Sequence, residues 1–251
     1  MAVAQHIVGT SLGRAAMRAR DAIELHTADA ETVGCVANDH LAAFLVTRLC
    51  RRHFVDVGAH IGSIIAEVDP SIRITAIEPI PEKAERLRKK FPAVELHQCA
   101  LSDHEGHAPF FVNPRASGYS SLNSGAGTVE INVPVKRLDA LVSEPDVVKI
   151  DVEGAELGVL RGCEKLETRP VYMFESGPQE VLGYTKADLW QWFEDHDYGV
   201  FVPNRLAHTA APMSLEVFQD SHLYPRRTTN YFGVPKERIE EARESARAIL
   251  A

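Results

Sequence analysis

The segment Phe54-Val-Asp-Val-Gly-Ala-His-Ile-Gly62 constrains this chain more than any other. An apolar run ends in a carboxylate at Asp56, and Gly58 and Gly62 follow at a spacing that suits a strand, a tight turn and the start of a helix. Gly58 permits the sharp turn and a close backbone approach to a ligand, and Gly62 permits the next helix to pack on the sheet. A second apolar run, Ile72–Glu78, ends in another acid, and Pro79 and Pro81 force a defined exit from it. A strand–turn–helix unit with a strand-terminal acid behind it predicts a Rossmann-like α/β sheet around an adenosine cofactor. In that arrangement Glu78 accepts hydrogen bonds from the ribose hydroxyls.

The rest of the chain continues the alternation. Strands are predicted at His53–Val57, Ile72–Glu78, Val94–Leu101, Val147–Asp151, Pro170–Glu175, Gly199–Val202 and Thr229–Val234. Helices are predicted at Ser63–Val68, Pro81–Phe91, Ala155–Leu160, Lys186–Asp195 and Lys236–Leu250, with a short one at Leu138–Val142. His107–Val112 and Val129–Val135 read as extra strands joined by a loop, Asn113–Gly127, that is dense in Gly, Ser and Asn. Such alternation implies a mostly parallel sheet with helices on both faces. Residues 1–50 have helical spacing, with a helix expected from Asp39, and read as a lead-in that covers the sheet or helps close the site. The whole chain, 1–251, is expected to be one domain: an extension over 1–50, a core over 53–235 and a final helix over 236–251.

Composition narrows the class. A net charge of −8 argues against a broad nucleic-acid surface, and the basic group Arg86, Arg88, Lys89 and Lys90 reads as a solvated helix face. The four cysteines show no CxxC pair and read as reduced thiols. No apolar stretch approaches the roughly 20 residues that span a bilayer, and the first residues lack secretory order, so a cytoplasmic protein with no membrane partner is expected.

Asp56 decides between cofactors. The pyrophosphate of a dinucleotide wants a cluster of free N–H groups and no carboxylate at the turn. A cationic amino acid moiety and a positive sulfonium are suited to one, which favours S-adenosyl-L-methionine. At the end of the third strand, Cys99-Ala-Leu-Ser-Asp103 offers small residues and Ser102 beside an adenine, or equally a capped turn.

These segments resemble the FkbM family of S-adenosylmethionine-dependent methyltransferases. The resemblance runs from about Phe54 to Pro235. Its further carriers are Ala76-Ile-Glu-Pro79, Ala100-Leu-Ser-Asp103, Tyr119-Ser-Ser-Leu122, Val135-Lys-Arg-Leu-Asp139, Lys149-Ile-Asp-Val-Glu-Gly-Ala-Glu156 with Leu160-Arg-Gly162, and Thr229-Asn-Tyr-Phe-Gly-Val-Pro235. It implies the class I methyltransferase fold, with a seven-stranded sheet whose last strand is antiparallel. It also implies a cofactor site at Asp56, Gly58, Ala59, His60, Gly62, Glu78, Pro79, Ala100, Leu101, Ser102 and Asp151. Tyr119, Ser120 and Ser121 would face the acceptor from a lid. The family usually carries Asn where this chain has His60, a change expected to alter a contact to the methionyl end or the fit of the turn.

The second acidic constellation, Asp151-Val-Glu153-Gly-Ala-Glu156, falls at the end of the fourth core strand. Acids favour a helix N-terminus by about 0.3–1 kcal/mol each, which accounts for Glu156, expected to face Arg161 or solvent, but not for Asp151, which precedes the helix. Methyl transfer to an oxygen needs positioning and a proton acceptor, so Asp151 is the first candidate general base, with Glu153 and Glu175 behind it. No metal is expected, although Asp151 and Glu175 are oxygen ligands at neighbouring strand ends. Ser176-Gly-Pro178, Trp190, Trp192 and Tyr224 are candidates for the acceptor pocket, the tryptophans being as well suited to the core. The expectation is O-methylation of a small-molecule acceptor, a substrate class implied by the resemblance alone, as is a place in secondary metabolism. Two rivals stand beside it: an NAD-linked oxidoreductase, which the missing G-x-G-x-x-G disfavours, and a non-catalytic cofactor-binding regulatory protein.

Overall fold

The sheet order follows from which strands can be buried on both faces. In the computed structural model, which describes residues 30–113, 128–177, 183–223 and 229–250 and a few helical positions before them, ten strands form two sheets. The strands are β1 (His53–Val57), β2 (Arg73–Ile77), β3 (Glu95–His97), β4 (Ala100–Leu101), β5 (Gly106–Val112), β6 (Val129–Lys136), β7 (Val147–Ile150), β8 (Val171–Ser176), β9 (Tyr198–Phe201) and β10 (Thr229–Pro235). The large sheet has seven strands in the order β3-β2-β1-β7-β8-β10-β9. All its neighbours are parallel except β10, which runs antiparallel to both β8 and β9. This is the Rossmann-like class I architecture that the alternation and the resemblance predict. Every residue of β1 and β7 is buried, as central parallel strands require.

Successive side chains alternate across the sheet, and the core divides accordingly. Val55, Val57, Val148, Ile150, Tyr172 and Phe174 enter one apolar cluster; Phe54, Val147, Val171 and Met173 enter the other. Helix α1 (Ala30–Leu49) contributes Ala42, Leu45, Val46 and Leu49 to the second cluster, so the N-terminal region does cover a sheet face. The other helices are α2 (Pro81–Lys90), α3 (Glu156–Arg161), α4 (Lys186–Asp195), α5 (Pro203–Ala207), α6 (Leu215–Leu223) and α7 (Ile239–Ala246).

Four local expectations are corrected. Residues 63–68 form a run of turns, because the Ala66→Gly62 and Val68→Ile64 backbone bonds are interrupted by a tighter Glu67→Ile64 one. The predicted strand Val94–Leu101 is two: β3 closes the edge of the large sheet, while pairing of Ala100 with Val135 draws β4 into a separate sheet of order β4-β6-β5. α1 begins nine residues before Asp39. α5 and α6 escaped prediction because they are short; α6 buries only Phe218 and His222, too little for a visible periodicity. Cys50, Cys99 and Cys163 are buried free thiols, as expected of reduced cysteines. Among the described residues no helix is long and apolar enough to cross a membrane.

Candidate active site

The chain after β1 makes three left-handed steps within five residues: Gly58 at φ 78°, His60 at φ 50° and Gly62 at φ 72°. Glycine is required at Gly58 because an added Cβ would lie 1.9 Å from the Asp151 carbonyl oxygen, and at Gly62 because one would lie 2.4 Å from the Phe91 ring. The close approach at Gly58 is therefore to the neighbouring strand, and Gly62 packs on α2. His60 takes a conformation that Asn, Asp and His adopt far more readily than other side chains. The usual family Asn and this chain's His thus meet the same backbone demand. Burial first, and then the Lys83 charge, hold the His60 ring down to about 4, so it is neutral at physiological pH.

The turn's N–H groups are committed within the chain. Gly58 and Ala59 both donate to the Ile77 carbonyl at 3.0 Å, and Gly62 donates to Ala59 at 2.7 Å. His60 N–H donates to Glu78 Oε2 at 2.9 Å, and Ile80 N–H donates to Glu78 Oε1 at 2.9 Å. Glu78 is 3% exposed and braces the turn against the exit of β2.

Lys149 is the residue the sequence reading left out of the site. It stands directly opposite Asp56 in the β1–β7 register. Its Nζ lies 3.1 Å from Asp56 Oδ1 and 3.2 Å from Asp151 Oδ2, and donates to the Gly58 carbonyl at 3.1 Å. The ammonium thus faces two carboxylates and donates to one carbonyl, while Asp56 Oδ1 is buried without a hydrogen bond among the described residues. Burial opposes the charge, but the two carboxylates more than reverse this and hold Lys149 above its ordinary range. A lone Lys inside the apolar run Val147-Val-Lys-Ile150 was the available signal, since a buried Lys needs an acid beside it. Asp56 therefore meets a cofactor with its charge already compensated by the chain.

On the other side of Lys149, Asp151, Glu153 and Glu175 bring one oxygen each to within 4.8 Å of one another. That spacing would admit a cation among the described residues, and no metal is assigned to it. Burial, then the Asp151 charge, push Glu153 up to about 7. Burial, then Asp151 and Glu153, push Glu175 up to about 9. Glu153 itself is left-handed at φ 55° and is followed by Gly154 at φ 99°.

A cavity of about 690 Å³ opens between these acids, the turn and α1, a usual size for a small-molecule site. Asp56, Gly58, Ala59, His60, Asp151 and Glu175 line it, with Lys149, Met173, Ile64, and Val36, Asp39, Ala43 and Phe44 of α1. α1 is fastened there: the Asn38 side chain bonds the Asn230 backbone N–H at 2.8 Å and carbonyl at 3.3 Å, and Asp39 accepts from Asn230 Nδ2 at 2.8 Å. The structure does not bring all expected residues to this wall. Gly62, Glu78, Pro79, Ala100, Leu101, Ser102 and Glu153 are not among its lining residues. Ser102 sits against Gly158 and Gly162, where any Cβ would strike it, and its hydroxyl bonds Asp103, which favours the turn-cap reading. Tyr119, Ser120, Ser121, Pro178 and Tyr224 lie outside the described residues. Trp192 is core, and Trp190 packs against that core while donating to the Met213 carbonyl. Glu156, expected to face Arg161 or solvent, is instead 3% exposed and accepts from Gly154 N–H at 3.0 Å and Tyr184 O–H at 2.6 Å.

Residues 56–200 match the family model described as Methyltransferase FkbM domain. Methyltransferase sdnD of Sordaria araneosa is 28% identical over 44% of this chain and 60% of its own length. Methyltransferase 1 of Beauveria bassiana is 27% identical over 44% of this chain and 57% of its own length. The chain thus spans about three fifths of the length of the curated relatives it matches. Among solved structures, the Synechocystis magnesium protoporphyrin IX methyltransferase has a TM-score of 0.44 at 11% identity, covering 79% of this chain and 77% of that one. The Burkholderia thailandensis 1,6-didemethyltoxoflavin-N1-methyltransferase has a TM-score of 0.40 at 14% identity, covering 88% of each chain.

Proposed function

Starting from the FkbM methyltransferase domain family, to which this chain belongs, we propose that the protein transfers a methyl group from S-adenosyl-L-methionine to a hydroxyl of a small molecule. The observation that carries the choice of cofactor is the state of the turn. Four of its N–H groups, those of Gly58, Ala59, His60 and Gly62, are bonded within the chain. A pyrophosphate would need such groups free. The cavity beside them presents Asp39 and Asp151, with Lys149 shared between Asp56 and Asp151, an excess of acid that suits a cation. These features speak against the NAD-linked reading.

The cofactor, when bound, supplies a methyl group on a positive sulfonium. The chain's own residues hold the turn, orient the acceptor and take its proton. Asp151, the first candidate from sequence, is engaged by the Lys149 ammonium at 3.2 Å. Glu153 does not line the cavity but brings an oxygen to within 4.8 Å of Asp151 and Glu175, which do. Held at about 7, it has the affinity best matched to accepting a proton at neutral pH. Glu175, held at about 9, carries a proton there and is a hydrogen-bond donor to the acceptor. The α1 wall, with Val36, Ala43 and Phe44, gives the acceptor an apolar surface.

Calorimetric titration with S-adenosylmethionine, S-adenosylhomocysteine and NAD tests the cofactor, and a screen of labelled methyl transfer onto alcohols, glycosides and amines tests the acceptor. Binding of both adenosyl compounds and label on an oxygen are expected. Tight NAD binding without S-adenosylmethionine binding would overturn the reading. Label found only on nitrogen would leave methyl transfer standing and remove the hydroxyl. Cofactor binding with no transfer to any acceptor would favour the regulatory alternative.

A further inference from the structure

Glu153 and Gly154 are consecutive left-handed residues, at φ 55° and 99°. A glutamate gains nothing locally from that conformation, so something outside the pair must hold it. What holds it is Glu156. Its Oε1 accepts the Gly154 N–H at 3.0 Å, two residues back along the chain. Its Oε2 accepts the Tyr184 hydroxyl at 2.6 Å. Both partners are donors, so an acceptor-only carboxylate is satisfied at both oxygens without a proton of its own. Burial raises the affinity of Glu156 for a proton while these two bonds lower it.

Tyr184 is itself anchored. It directly precedes Thr185, the N-cap of α4, where Thr185 and Asp188 close a capping box through bonds of 2.7 and 3.1 Å. Its ring packs against the large apolar cluster. The position of the hydroxyl is therefore set by a rigid helix start, and it is passed through Glu156 to the Gly154 amide.

We propose that Glu156, held by Tyr184, is a positioning residue that sets where the Glu153 carboxylate stands against Asp151 and Glu175. The role in turnover rests on the reading of Glu153 as proton acceptor; the geometric claim does not. Glu156 does not line the cavity, and its role is to place Glu153 and not to exchange a proton with the acceptor.

Three variants test it. Glu156→Leu keeps a side chain of similar bulk and removes both acceptors. The Gly154 amide in the free protein should then exchange about ten-fold faster or more, the loss of one buried hydrogen bond. On an acceptor found by the screen, kcat should fall by up to about 100-fold while KM for S-adenosylmethionine stays unchanged. Glu156→Gln keeps an oxygen for Gly154 and turns an N–H toward the Tyr184 oxygen, so it should restore amide protection and most of kcat. Tyr184→Phe leaves Glu156 and the core in place and should show the same split to a smaller degree, which keeps the test alive where Glu156→Leu does not fold. Unchanged Gly154 exchange in Tyr184→Phe and Glu156→Leu would overturn the proposal. So would Glu156→Gln as damaged as Glu156→Leu, since charge and not placement would then be the cause, and so would KM rising in step with falling kcat. The exchange measurement needs no acceptor, so absence of methyl transfer by the unaltered protein would overturn the functional reading and leave the geometric claim to the amide.

Discussion

Asp56 and Glu153 are both acids near strand ends of one sheet, linked through Lys149 and Asp151, yet their charges are handled in different ways. Around Asp56 most groups are met: Lys149 faces two carboxylates and donates to the Gly58 carbonyl, and Glu78 accepts from two N–H donors, although burial, against Lys149, raises the proton affinity of Asp56. Around Glu153 they are crowded: Asp151, Glu153 and Glu175 share a small volume, Asp151 is paired to Lys149, and burial and the neighbouring acids raise the proton affinity of the other two. A balanced buried network holds a shape, whereas an unbalanced one holds reactivity. The difference sets a turn whose N–H groups are bonded within the chain beside a wall of crowded carboxylates.

The harshest way to break the comparison is Lys149→Met. It leaves Asp56 buried without a counter-charge and should cost about 3–5 kcal/mol of folding stability. Denaturant unfolding measures this, and a loss below about 1 kcal/mol would mean that Asp56 does not depend on Lys149. On the other side, Glu153→Gln should leave the melting temperature nearly unchanged and lower kcat by about 100-fold. In the unaltered protein kcat/KM should rise with pH to about 7, because the Glu153 carboxylate must be deprotonated, and fall again above about 9 as Glu175 loses its proton. The rising limb should vanish in the variant. A rising limb that persists in Glu153→Gln would return the role to Asp151.

Glu175 sharpens the contrast through stability. Its affinity is raised from 4.5 to about 9 on folding, so the folded state holds a proton that the unfolded chain releases. That contribution is complete below about pH 4.5 and is lost as pH rises toward 9. Glu175→Gln should therefore melt like the parent at pH 5 and a few degrees higher at pH 9, read by thermal scans across that range. Equal melting curves at pH 9 would show that the wall is not crowded with charge. The smallest effect belongs to the balanced side: His60→Asn should change stability by less than about 0.5 kcal/mol, since both side chains tolerate the left-handed turn, whereas His60→Val should cost about 1–2 kcal/mol. A large loss in His60→Asn would mean that the imidazole itself is required.

Much of the fold was legible because its signals are local. The apolar runs of β1, β7 and β8, the capped helix α4 and the paired strands β5 and β6 all carry their pattern in consecutive residues. The segments that were misread lack such a pattern or lose it to pairing elsewhere: β4 leaves the third strand because Ala100 finds Val135, and α6 buries too few side chains to show a period.

The sequence by itself determined the turn, since only glycine fits beside the Asp151 carbonyl at Gly58, and it determined the acids that stand near it. It could not determine their charge states or partners. Lys149 meets Asp56 through strand register, Glu78 turns to the backbone of His60, and Glu156 reaches back to Gly154 and across to Tyr184. Those contacts join residues up to 93 positions apart, and proton affinity depends on burial and on neighbours brought together by folding. Only the tertiary structure, by closing one set of charges and crowding the other, separated acids that look alike along the chain.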